Sequence, residues 1–222
     1  MGPLTDPGDP NSNIVIVDSP CEWDVPLDLP ALWAQIKRLA KNDHVPVLMF
    51  CTVKFGFELY ASNPSWFRYD LVWDKGRGVS FLSANKMPMR SHEMVYVFSK
   101  KGAEYKRVDV SGEPYTHTRP VEESAQYGAS RNTETVNTGT RCVLSVIKTP
   151  LPSGYHSKGG HPTQKPVDLY KWLLQRYCPA GGTVLDPTFG SGNSGRAARE
   201  LGLHYIGIEK HEPYFTAAAA DL

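Results

Sequence analysis

The chain reads as an α/β protein with a largely parallel sheet. Three observations predict that class. Apolar, β-branched runs alternate with amphipathic helical stretches along most of its length. A glycine-rich turn, Gly190-Ser191-Gly192-Asn193-Ser194-Gly195, joins a strand run to a helix run near the C-terminus. The 222 residues are 41% hydrophobic and 21% charged, with a mean hydropathy of −0.37, which suits one domain with a real core and a small insertion.

Each element follows from its pattern. Residues 13–18 (NIVIVD) form a β-branched apolar run that predicts a buried parallel strand. Residues 29–42 place apolar side chains at 32, 33, 36, 39 and 40, a helical spacing. A second buried strand is expected at 45–52, and a short helix at 53–62, ended by Asn63-Pro64. Strands at 69–73 and 93–98 flank the 76–90 connection. Residues 100–160 are rich in Gly, Ser, Thr, Pro and charge without a sustained period, which predicts an irregular, functional segment. Order returns with an amphipathic helix at 166–178, its Pro in the first turn. A strand at 182–186, a helix at 194–201, a strand at 204–209 and a terminal helix from Pro213 complete the chain. No internal repeat is visible.

Composition excludes several function classes. Lys and Arg total 24 and Asp and Glu 23, a net charge of +1, which rules out a histone-like or polybasic-tail binder. The charge is nonetheless uneven. Residues 1–30 hold six acids and no base, whereas residues 75–107 hold eight bases against Glu93 and Glu104. No apolar run reaches the roughly 18–20 residues that span a bilayer. The first 13 residues lack the basic and apolar regions of a signal peptide, so a cytoplasmic location is expected. Cys21, Cys51, Cys142 and Cys178 show no CxxC spacing, which predicts reduced thiols and no metal site.

The glycine turn carries the sharpest signal. Gly190, Gly192 and Gly195 fit G-x-G-x-x-G, where a bare backbone approaches a ligand and helix N–H groups stay free. Glu209 ends the following strand, where a carboxylate can accept from both hydroxyls of a ribose. A nucleotide-type cofactor is the expectation. Only 13 residues follow Glu209, so the rest of the sheet must come from upstream. That permuted order disfavours a dinucleotide dehydrogenase.

These residues resemble a family: the amino-group DNA methyltransferases of the permuted β class, especially phage-type adenine N6 methylases. Asp186-Pro187-Thr188-Phe189-Gly190-Ser191-Gly192 resembles the family's S-adenosylmethionine loop. His161-Pro162-Thr163-Gln164-Lys165-Pro166 resembles the block that contacts the methionine carboxylate, and Tyr205-Ile206-Gly207-Ile208-Glu209 the ribose-binding strand. Upstream, Trp73-Asp74-Lys75, 81–86, Pro88, Arg90, His92-Glu93 and Val97-Phe98 resemble a segment common in phage enzymes. The resemblance covers nearly the whole chain. It implies a Rossmann-like, circularly permuted methyltransferase sandwich with a seven-stranded, mostly parallel sheet. It implies S-adenosyl-L-methionine as cofactor, held by His161, Thr163, Lys165, Asp186, Thr188, Phe189, Gly190, Gly192, Asn193, Ser194, Glu209 and Lys210. Among them, Lys165 would pair with the carboxylate, Asp186 would accept from the amino group, and Phe189 would either pack near the cofactor or plug the core beneath the loop.

The family's catalytic strand ends in (Asp/Ser/Asn)-Pro-Pro-aromatic. The first side chain and a proline carbonyl orient the target amine, and the ring stacks on the flipped base. Here the corresponding residues are Asp18, Ser19, Pro20 and Cys21, with Trp23 two positions on. Asp18 and one proline are retained; Ser19 and Cys21 replace the other proline and the ring, so the motif is degenerate, with Trp23 a candidate substitute for the ring. Pro20-Cys21 also admits a cytosine-C5 nucleophile, which the missing Glu-Asn-Val partner motif disfavours. The resemblance further implies double-stranded DNA as partner, with Lys75, Arg77, Lys86, Arg90 and Lys101 on phosphates and Tyr105, Tyr115, Tyr127 and His117 within reach of bases. One domain is expected: a catalytic half (1–99), a target-recognition insertion (100–160) and a cofactor-binding half (161–222). Dimers are common in the family, as is a place in restriction–modification, and a bacterial or phage-infected cell is the implied setting. The rivals are N4-cytosine methylation in the same site, a non-catalytic DNA-binding module that keeps the cofactor pocket, and an enzyme acting on RNA or a small amine.

Overall fold

The computed structural model describes residues 27–79, 81–119, 123–124, 126, 128–129, 133–151, 161 and 163–220. The strand expected at 13–18 and the motif from Asp18 to Trp23 lie outside these residues. The chain divides into two units, one up to Ala40 and one from Lys41 onward. In the first, helix α1 (Leu29–Leu39) is capped by Asp28, whose carboxylate accepts from the Ala31 amide at 3.0 Å. Lys37 and Arg38 in its last turn complement the helix dipole, and Trp33 is its buried side chain.

The second unit is built on two sheets. Among the described residues the larger has four strands in the order β1-β3-β2-β10, comprising β1 (Val47–Cys51), β2 (Phe67–Val79), β3 (Arg90–Phe98) and β10 (Val146–Lys148). β10 runs parallel to β2, whereas β1 and β2 both run antiparallel to β3. The sheet is therefore mixed, where a mostly parallel one was expected. The connection between β2 and β3 explains this: ten residues make a hairpin and are too few for a parallel crossover. The smaller sheet pairs β11 (Thr183–Asp186) with β12 (His204–Gly207) in parallel.

Helices cover the large sheet on both faces. One face presents Leu71, Trp73, Val95, Val97 and Ile147, all buried, against Leu169, Leu173 and Tyr177 of α3 (Val167–Tyr177). On the other, Gly56 of α2 (Val53–Ser62) lies against the Tyr96 ring, because any larger residue would meet the phenol. Phe67, Tyr96 and Phe98 form an edge-on aromatic cluster there, with centroids 5.2–6.4 Å apart. α3 also turns a second side toward α4 (Asn193–Glu200): Leu174 packs with Ala197 and Ala198, and with Val184 and Tyr205 of the smaller sheet. Helix α5 (Glu212–Ala219) follows β12.

Within the segment expected to be irregular, the described residues form three antiparallel strand pairs. β4 (Val110–Ser111) pairs with β9 (Thr140–Arg141), β5 (Tyr115–Arg119) with β8 (Thr133–Asn137), and β6 (Glu123–Ser124) with β7 (Gly128–Ala129). Residues 115–118 and 134–136 are exposed on both faces. A ribbon with no buried face has no apolar alternation, which is why its sequence carries no period. No helix among the described residues is long and apolar enough to cross a membrane.

Candidate cofactor site

The site forms where β11 ends. Its last residue, Asp186, accepts from the Thr188 amide at 3.1 Å and from the Ser194 hydroxyl at 2.6 Å. The Ser194 hydroxyl also meets the Tyr205 hydroxyl at 2.9 Å, so loop, helix and second strand share one polar knot. Gly190 and Gly192 take φ of +54° and +74°, the left-handed region that side chains other than glycine rarely adopt. A Cβ at Gly190 would also lie 3.1 Å from the His161 ring. The loop needs glycine there for both reasons, and α4 starts directly behind it.

Glu209 is fixed by the same loop. One carboxylate oxygen accepts from the Gly190 amide at 2.9 Å and the other from the His211 amide at 2.8 Å. Each oxygen keeps a second lone pair for a further donor. Phe189 is buried, with its ring 5.9 Å from that of Phe215 and close against Gly207. It is wedged beneath the loop.

The 161–166 block reaches the loop from the other side. The Asn193 side-chain amide donates to the Lys165 carbonyl at 2.7 Å and accepts from Arg196 through its oxygen at 2.7 Å. The His161 ring packs tilted against Tyr214 with centroids 4.4 Å apart, and Tyr214 in turn against His211 at 4.5 Å. Burial pushes the His161 imidazole below its ordinary value, although Glu209 pulls the other way. Thr163, Thr188 and Lys210 are exposed around the rim.

The Lys165 ammonium lies 4.7 Å over the Phe50 ring and 3.5 Å from Glu93, whose other oxygen binds Lys75 at 2.6 Å. Two cations thus share one carboxylate in a largely dry place. Burial pushes Lys165 below its ordinary value, with Glu93 opposing. Burial raises the Glu93 carboxyl, but Lys165 and Lys75 outweigh it and hold it below the usual range. The three side chains carry a net positive charge, on which Asp186 also acts at Lys165, and that surplus suits an incoming anion.

Lys75 therefore sits where a sequence reading based on charge alone does not put it. It is only 7% exposed and faces the cofactor block. Arg77 and Lys86 are exposed on the β2–β3 hairpin, Arg90 is half-buried, and Lys101 is exposed and pairs with Asp43 at 3.3 Å. Tyr105 leans on Tyr177, Tyr115 lies beneath the Arg141 guanidinium at 4.5 Å, and His117 is exposed on β5. Tyr127, Pro162 and the Asp18–Trp23 motif lie outside the described residues. Glu93 and Phe50 were missed as site residues. A period-two signal would have found Lys75 and Glu93: Leu71, Trp73 and Lys75 share one face of β2, as Glu93, Val95 and Val97 do on β3. The described cysteines are free thiols, and burial pushes Cys51 up to about 12.

Comparison with known proteins gives the family and the fold. The family model of the N6_N4_Mtase DNA methylases matches residues 29–220. The type II methyltransferase M.XycI of Xanthomonas campestris pv. cyanopsidis is 30% identical over 161 residues, covering 72% of this chain and 46% of that protein. M.HinfI of Haemophilus influenzae is 47% identical over 66 residues, 29% of this chain and 18% of the relative. The chain thus spans less than half the length of these curated relatives. Among solved structures, M1.HpyAVI in complex with SAM superposes with a TM-score of 0.56 at 21% identity, over 84% of this chain and 78% of its own. The cytosine-N4-specific PvuII DNA methyltransferase gives 0.62 at 13% identity, over 86% and 68%. The fold is the Rossmann-like fold of these S-adenosylmethionine-dependent DNA methyltransferases. With its family model matched from α1 to the last helix, the chain belongs to the N6_N4_Mtase family of DNA methylases.

Proposed function

We propose that the chain methylates an exocyclic amino group in double-stranded DNA, adenine N6, with S-adenosylmethionine as methyl donor. One observation carries this reading: the Lys75–Glu93–Lys165 set and the Glu209-tied glycine loop meet around the 161–166 block. The residues fit the cofactor by charge and shape. The surplus cation takes a carboxylate, the glycines leave room at the backbone, and Glu209 keeps lone pairs for a ribose diol. Lys165 holds the methionine carboxylate, Asp186 accepts from the amino group, and Phe189 supports the loop from below. When bound, S-adenosylmethionine supplies a methyl on a sulfonium, already activated for transfer, so no metal is invoked.

Asp18 and the carbonyl of Pro20 accept from the target amine and hold its nitrogen in line with the methyl. Trp23 stacks on the flipped base in place of the absent ring. The adenine assignment is supported by the likeness of the 73–98 segment to phage-type adenine methylases.

Tritiated S-adenosylmethionine, unmethylated DNA and nuclease digestion test the whole reading. Label on N6-methyladenine is expected; label on N4-methylcytosine overturns the base assignment, and cofactor binding without label on any DNA overturns the enzyme. Asp18→Ala is expected to abolish transfer and to leave calorimetric cofactor binding unchanged. Transfer at the wild-type rate in that variant removes Asp18 from catalysis.

A further inference from the structure

The β2–β3 hairpin ends in a feature that neither the core nor the cofactor site uses. Phe81 is 78% exposed and Leu82 98% exposed, at the outermost turn. Burial of such side chains drives folding, so a contiguous apolar pair held in water marks a contact surface. Met87, 54% exposed, and Met89, 40% exposed, extend the patch along one side.

The tip is ordered by its own hydrogen bonds. The Ala84 amide donates to the Phe81 carbonyl at 2.9 Å, and the Lys86 and Met87 amides to the Ser83 carbonyl at 2.9 and 3.0 Å. Its stem is closed by the Val79–Arg90 pair, where Met89 crosses so close to Gly78 that a Cβ there would clash. The apolar pair is thus presented by a turn that closes its own hydrogen bonds, above a stem whose register shifts between Asp74 and Val79.

The charge around it has one sign. Between Asp74 and Glu93 the chain carries Lys75, Arg77, Lys86 and Arg90 and no acid. Lys75 is turned inward, but Arg77 and Lys86 are exposed and Arg90 half-exposed beside the tip. Apolar side chains ringed by cations match a polyanion whose interior is apolar, which describes stacked bases between phosphates.

We propose that this tip is a wedge that enters a base step of duplex DNA: Phe81 and Leu82 unstack the bases, and Arg77, Lys86 and Arg90 hold the flanking phosphates. The inference rests on the DNA reading above and goes further by naming how the duplex is opened. The base of the same stem carries Lys75 and Glu93, within roughly 20 Å of extended chain from the tip. The hairpin therefore couples the cofactor site to the place where the helix is opened, and unstacking lowers the cost of turning a base out.

A wedge unwinds DNA, which a topology assay reads without knowledge of the target sequence. Nicked unmethylated plasmid is ligated in the presence of the full chain and S-adenosylmethionine, and the topoisomers are resolved at matched occupancy. The wild type is expected to shift the distribution. A Phe81→Ser/Leu82→Ser variant is expected to lose the shift, to lose roughly tenfold in methyl transfer to duplex, and to keep wild-type cofactor binding. Leu82→Ser alone, at a side chain almost wholly in water, serves as the variant with no packing to lose and is expected to halve the shift or more. A wild type that binds plasmid without changing its topology overturns the wedge and leaves the methyltransferase standing. So does a double variant that shifts topoisomers as the wild type does. Loss of a wild-type dimer in the variant, with the topology change intact, assigns the tip to a second copy and overturns the wedge. A wild type that fails to bind plasmid overturns the DNA reading and the wedge together.

Discussion

Glu93 is the residue on which most of the site's electrostatics turn. It is the one acid between Asp74 and Glu104, and it faces inward between two lysines. With Lys165 holding the cofactor's carboxylate as proposed, a charged ammonium is needed there, so binding is expected to fade as pH rises through the Lys165 pKa. Burial already places that pKa below the ordinary lysine value, and Glu93 opposes the fall. Glu93→Gln removes the larger part of the opposition and leaves the smaller pull of Asp186, while Lys75 keeps pushing the same way as burial. The Lys165 pKa then drops further, and affinity is lost at lower pH than in the wild type. Calorimetric titration with S-adenosylmethionine from about pH 7 to about pH 10 checks this. The variant is expected to fall roughly tenfold or more behind the wild type at the alkaline end. 5′-Methylthioadenosine, which has no carboxylate, is expected to show no such pH dependence in either protein. An equal alkaline loss for both ligands would make Glu93 merely structural.

Among the elements, α3 decides whether the site exists. One side of it packs on the large sheet and another on α4 and the small sheet, and its N-terminus continues directly from the 161–166 block. Leu169 is fully buried in the first turns. Leu169→Ala is expected to cost about 3 kcal/mol, because the cavity lies between two layers that cannot both close on it. Urea denaturation reads that loss, and cofactor affinity should fall with it since Lys165 is four residues away. A destabilised variant with unchanged affinity would show that the block holds its place without the helix. This helix was legible in the sequence almost to the residue, as were α2 and the β11–loop–α4–β12 run, because each buries one apolar face and is bounded by Pro, Gly or Asn. The strand pairs between 110 and 141 were not legible, since residues 115–118 and 134–136 are exposed on both faces. The direction of β3 was within reach, because ten residues between strands already imply a hairpin. In the site, the glycine loop and Glu209 stood out from local pattern alone. Phe50 did not, because its role comes from β1 lying beside β3, a contact between distant parts of the chain.

At the scale of the whole molecule, the net charge of +1 conceals how the bases are divided. Some of the basic stretch works inside. Lys75 is buried against Glu93, whereas Arg77 and Lys86 stand in water on the hairpin. Those two groups should part in a salt titration of DNA binding. Each phosphate neutralised by an exposed base releases counterions and adds about 0.9 to the slope of log K against log salt. Arg77→Ala and Lys86→Ala are each expected to flatten that slope by about 0.9 and to leave thermal stability within roughly 0.5 kcal/mol. Lys75→Ala is expected to do the reverse. Its slope stays at the wild-type value, while stability falls by about 2 kcal/mol, because Glu93 loses its nearer cation in a place with little water and keeps only Lys165. Filter binding to unmethylated duplex across a salt series gives the slopes, and thermal melting gives the stabilities. A flattened slope in the Lys75 variant would return that residue to the DNA face. An unchanged slope in the Arg77 and Lys86 variants would take the hairpin off it. The assignment of interior and exterior charge thus stands on two measurements that move in opposite directions for neighbouring residues on one strand.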